Sequence, residues 1–186
     1  MRDRNQMIRM VMAALFLALC YVFPFLTGQV PEIGAMLCPM HLPVLLCGFI
    51  CGAPWGVAVG ISAPLLRSLT LGMPPLYPTA VCMALELAVY GGVCGLLHRI
   101  LPRRPTYLYL SLLAAMIAGR IAWGCAMFVC IGLGGGRFPF PAFLAGAVTN
   151  ALPGIVIQII LIPTTVMRVE KKRCCGGDTK ETRENL

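Results

Sequence analysis

Charged side chains make up only 12% of this 186-residue chain, and only seven residues are acidic. A soluble domain carries about 25% charged residues, so the shortage excludes an ordinary water-facing surface. The 59% hydrophobic content fits a polytopic membrane protein instead. Several signatures are also missing. No GK[ST] phosphate loop follows the glycines at 134–136, and neither HExxH nor paired CxxC occurs. The histidines, His41 and His98, are too far apart to form a metal motif by spacing, so no metal is expected. The formal charge of +8 does not form a basic face interleaved with aromatics, which argues against nucleic acid. No internal repeat of useful length is found. At ~20 residues per span, a bundle of about six helices uses nearly the whole length and leaves no room for a catalytic soluble domain.

Within the apolar material, one stretch organises the rest. Residues 79–98 form an apolar run in which nothing is charged apart from the carboxylate of Glu86. A run of ~20 such residues matches the ~30 Å hydrocarbon core, which places Glu86 at membrane depth. An unpaired charge there costs several kcal/mol. Glu86 is therefore a structural residue, neutral or paired with a neighbouring helix, or part of a polar site facing a cavity that receives a hydrophilic ligand. Of the ten cysteines, Cys47, Cys51, Cys82, Cys94, Cys125 and Cys130 sit inside apolar runs and read as small buried hydrophobes. Cys174-Cys175, in the basic tail, reads as a thiol pair or a lipidation site; it lacks the partners of a metal site.

The expected architecture is all-α: a bundle of six transmembrane helices over residues 1–168, followed by a charged, disordered tail at 169–186. The first 27 residues also imitate a signal peptide, but no A-x-A-like site follows and bulky Leu19 precedes Cys20, so they read as a retained first helix. A connection at 28–40 leads to a short second span from Met40 to Gly52. The third runs from Trp55 to about Leu71, the fourth over 79–98, the fifth over 107–133 and the sixth from about Pro141 to Met167, where Pro153 and Pro163 are tolerated because neighbouring helices satisfy freed backbone groups. Basic residues collect at 2–9, 99–104 and 168–173, and the positive-inside rule then places both termini in the cytoplasm.

At 1.5 Å per residue, Arg67 lies ~18 Å above Trp55, Arg120 ~21 Å above Thr106, Glu86 ~10 Å below Thr79 and Asn150 ~12 Å below Ala142. Polar side chains from four spans at similar depth suggest a convergent pocket reached from outside. Tyr90 lies one helical turn from Glu86, and Trp123 close to one turn from Arg120. The alternative is an internal pair between Glu86 and Arg120 or Arg67 that only fixes helix register. Ala14 and Ala18 share a face along which a helix can approach closely, either a partner's or a neighbour's in the bundle.

Ala14-x-x-x-Ala18, the block Pro39-Met40-His41-Leu42-Pro43-Val44-Leu45-Leu46 through Gly52, Gly56 and Gly60, and Met73-Pro74 followed by Glu86-Leu87-Ala88-Val89-Tyr90-Gly91 form an ordered set. With these, the chain over residues 7–168 resembles the substrate-binding S components of energy-coupling-factor (ECF) transporters, the bacterial vitamin-uptake systems. The resemblance implies a multi-pass protein of the bacterial cell membrane that is not an enzyme. It implies capture of a vitamin-like molecule from outside and docking on a transmembrane coupling subunit driven by two ATPases. ATP would be used by those partners, and no cofactor is expected in this chain. Arg67, Glu86, Tyr90, Arg120, Trp123, Asn150 and His41 become the candidate substrate-binding residues, and Ala14 and Ala18 the partner interface. Two arginines with one glutamate suit an anionic or zwitterionic molecule, with pantothenate as one compatible guess. The rival readings are a small membrane enzyme using Glu86 as acid or base, which lacks a convincing nucleophile, and an assembly protein whose polar residues only set register.

Overall fold

The computed structural model describes residues 2–26, 39–102, 104–133 and 154–169. They form six helices: α1 (Arg2–Leu26), α2 (His41–Cys51), α3 (Ala53–Leu71), α4 (Val81–Ile100), α5 (Pro105–Leu133) and α6 (Gly154–Val169). A single wide turn at Leu76–Ala80 leads into α4. Arg4–Phe25, Leu76–Ile100 and Pro105–Gly132 are each long and apolar enough to cross a membrane. The expected first half of the sixth span and the charged tail lie outside the described residues.

Local chemistry sets the boundaries. Gly52, at φ +98°, is the single residue between α2 and α3, and Pro54 follows in the first turn of α3, where a missing N–H costs nothing. The third span therefore starts at Ala53, slightly before the expected Trp55. Gly72, at φ +68°, closes α3 in the left-handed conformation, with its N–H donating to the Ser68 carbonyl at 3.0 Å. The fourth span extends further outward than expected, to Leu76, where the Tyr77 hydroxyl donates to the Cys130 carbonyl of α5 at 2.7 Å.

α4 is central, packed against α2, α3 and α5. Its buried residues Glu86, Leu87, Tyr90, Gly91, Cys94 and Gly95 recur at helical spacing. Close approach is possible because glycine faces glycine. A Cβ on Gly91 would lie 2.4 Å from the carbonyl group of Gly56, and one on Gly60 would lie 2.5 Å from the Leu87 carbonyl oxygen. Van der Waals contact between backbones is a main source of helix association in lipid. Gly91→Ala is therefore expected to destabilise the bundle by about 1–3 kcal/mol, because backbone atoms cannot rotate away. Gly132, whose added Cβ would meet nothing within 4 Å, is the control. Thermal unfolding in detergent should show a clear loss for Gly91→Ala and none for Gly132→Ala; equal midpoints would mean that the α3–α4 packing is wrong.

These contacts also fix depth. Gly48 of α2 lies against Gly91 and Cys94, and the Phe49 ring meets His98 edge-on at 5.2 Å. α2 thus runs beside the inner half of α4, and its 11 residues cover only ~16 Å. Its first residue, His41, consequently lies deep in the bundle. α6 contributes Ile162 and Val166 to the core, and its Gln158 is buried.

Candidate functional site

Glu86 is 2% exposed and gathers partners from three helices. Tyr90, one turn along α4, donates its hydroxyl to Oε1 at 3.1 Å. A guanidinium nitrogen of Arg120, from α5, lies 3.1 Å from the same oxygen. His41, at the start of α2, brings Nε2 to 3.5 Å of it and sets its ring edge-on to Tyr90 at 5.2 Å. Gly119 makes room for this arrangement, since a Cβ there would lie 2.6 Å from Cε1 of Tyr90. A buried carboxylate in low dielectric needs such partners. Within the cluster the charges of Glu86 and Arg120 oppose each other at 3.1 Å.

The histidine is not satisfied by this arrangement. Both of its ring nitrogens are buried without a hydrogen-bond partner, and the 3.5 Å approach to Glu86 is not an aligned bond. Native structures pair the great majority of buried polar atoms, so each orphan needs an explanation.

Arg67 lies elsewhere. Register along α3 and α4 places Gly60 opposite Leu87, so Arg67 sits ~9 Å further toward the outer end than Glu86. The common depth expected from sequence is corrected here. That estimate started each helix at the membrane boundary, whereas the fourth span begins higher, at the Leu76 turn that leads into α4. Arg67 is buried, donates Nε to the Met73 carbonyl at 3.2 Å and lies 5.9 Å from the Phe25 ring centroid. Its Nη1 is buried without a hydrogen-bond partner. Phe25 was missed from sequence, and Met73, singled out there only as part of Met73-Pro74, was not expected to meet Arg67; it follows directly on the left-handed Gly72 that closes α3.

Trp123 is half-buried one turn beyond Arg120 on α5, and Asn150 lies outside the described residues. Among the described residues, no three His, Cys, Asp or Glu side chains form a metal-binding group. On α1, Ala13, Phe16 and Cys20 face the core, whereas Ala14 and Ala18 are exposed. The alanine strip is therefore not used for packing among the described helices.

The sequence model of one protein family, described as "ECF transporter, substrate-specific component", matches residues 8–166. The chain belongs to that family. This substrate-specific component is a multi-pass protein of the prokaryotic plasma membrane, a transport binding subunit and not an enzyme. Its family works with an energising module whose ATPases consume ATP. Neither a curated protein nor a solved structure matches this chain.

Proposed function

We propose that this ECF component captures a water-soluble vitamin or related micronutrient from the outer side and delivers it inward with a transmembrane coupling subunit and two ATPases. The observation that carries the reading is the set of buried polar atoms without a hydrogen-bond partner on His41, beside the carboxylate that Tyr90 and Arg120 hold, and on Arg67, further toward the outer end. A bundle built only for stability gains nothing from such atoms, whereas a hydrophilic ligand satisfies them on binding. His41, Glu86, Tyr90 and Arg120 form the inner part of the proposed site and Arg67 the outer part. Trp123 on α5 and Asn150 complete the candidate set. Ala14 and Ala18, exposed on α1, meet the coupling subunit.

The Glu86–Arg120 pair at 3.1 Å favours a second reading, in which the cluster only fixes helix register. Uptake separates the two. In cells that lack their own vitamin transporters, accumulation of a labelled vitamin should require this chain, the coupling subunit and both ATPases together. Failure to accumulate any vitamin of a full panel, with all four proteins present in the membrane, would count against the transport reading.

A further inference from the structure

We propose that the captured molecule carries an anionic group, a carboxylate being the best fit, and that Arg67 holds it at the outer end of the site. This rests on the substrate-binding reading above and adds the chemical class of the ligand. Arg67 is 7% exposed, and of its nitrogens Nε is used by the Met73 carbonyl while Nη1 is buried without a partner. Among the described residues, the only carboxylate inside the bundle is Glu86, which is engaged by Tyr90 and Arg120 and lies ~9 Å deeper. Among the described residues, Arg67 is thus a desolvated cation without a counter-charge, an arrangement that is costly unless something completes it.

The missing group is identified by what the guanidinium offers. It is always charged, and its planar fork matches the two oxygens of a carboxylate. The Phe25 ring, 5.9 Å from the guanidinium carbon, helps hold it in place. A neutral oxygen could accept a hydrogen bond from Nη1 but would leave the buried guanidinium charge unbalanced, and a cationic ligand would add to it. A lipid phosphate does not fit, because Gly60, Ala63 and Arg67 lie on the inward stripe of α3, whereas the neighbouring Leu66 and Leu69 face outward, at 43% and 71% exposure. The anion therefore comes from a water-soluble ligand, whose uncharged polar end reaches inward to His41.

The test uses the full chain in detergent and acid–neutral pairs of near-equal shape: biotin with biotinamide, pantothenate with panthenol, nicotinate with nicotinamide, and benzoate with benzamide as a minimal pair. Thermal unfolding and calorimetry read the affinity. At least one acid should bind tenfold or more tightly than its neutral twin. Arg67→Gln should remove that preference, and Arg67→Lys, which keeps a point charge, should retain part of it. A neutral twin that binds as well as its acid, or an acid whose affinity survives Arg67→Gln, overturns the inference and leaves the transport reading standing, since a ligand has then been found. Silence from every acid in protein with a sharp unfolding transition also overturns it, and the uptake measurement then judges the transport reading alone. Should Arg67→Gln fail to fold, the wild-type comparison within each pair still decides.

Discussion

Arg120→Ala is expected to lower the stability of the bundle by about 3 kcal/mol and to abolish ligand binding. Removing one partner of a buried ion pair typically costs about 3–5 kcal/mol, because the remaining charge stays buried without compensation. Here the remaining charge is Glu86, at 2% exposure, left with the Tyr90 hydroxyl and the weakly placed His41. The lower end of the range applies because Arg120 keeps 18% side-chain exposure and some of its solvation. The double variant Glu86→Leu with Arg120→Leu should recover most of the loss, since apolar residues of similar volume replace buried pairs at little cost. Unfolding in detergent measures stability, and ligand titration of the same samples measures function. A double variant that folds but no longer binds assigns the cluster to the ligand. One that folds and binds like wild type assigns the pair to helix register, and wild-type stability for Arg120→Ala would contradict the described contacts.

The second large effect concerns α1. With Ala14 and Ala18 both replaced by tryptophan, uptake is expected to fall to background while ligand affinity and unfolding temperature stay at wild-type values. Both positions are exposed on the face opposite Ala13, Phe16 and Cys20, so the added rings do not enter the core. They would instead prevent the close helix approach that a small-residue strip permits. Leu110→Trp, at a 53% exposed position on α5, is the control and should transport normally. If binding falls as far as uptake, the alanines serve the fold and the interface assignment is wrong.

Much of the helical plan was readable from the sequence, because proline and glycine mark helix ends by local rules. The fifth span, expected over 107–133, is Pro105–Leu133, and the short second span ends where Gly52 requires a positive φ. The Tyr90–Glu86 bond was also legible, as it follows from a four-residue spacing on one helix. The meeting of His41 with Glu86 was not. It depends on α2 starting beside the middle of α4, an offset fixed by Gly48 against Gly91 and Cys94 and not by either helix alone. Arg67 shows the converse. Counting residues from an assumed membrane boundary put it level with Glu86, but the glycine register between α3 and α4 moves it outward. Depth in a bundle is a property of helix pairs, and a single sequence carries the pairing only through contacts that are invisible until the helices are packed.

Whether this chain binds a vitamin by itself is decided by equilibrium binding of water-soluble vitamins and their precursors to the purified chain, without coupling subunit, ATPases or ATP. A ligand at 100 times its dissociation constant stabilises the folded state by about 2.7 kcal/mol, which gives a clear shift in unfolding temperature. Such a shift is expected from this chain alone, for a small subset of the panel, and is expected to be lost when Glu86 and Arg120 are replaced by leucines. Well-folded protein that responds to no member of the panel, or that responds equally with the cluster removed, would contradict the proposed site.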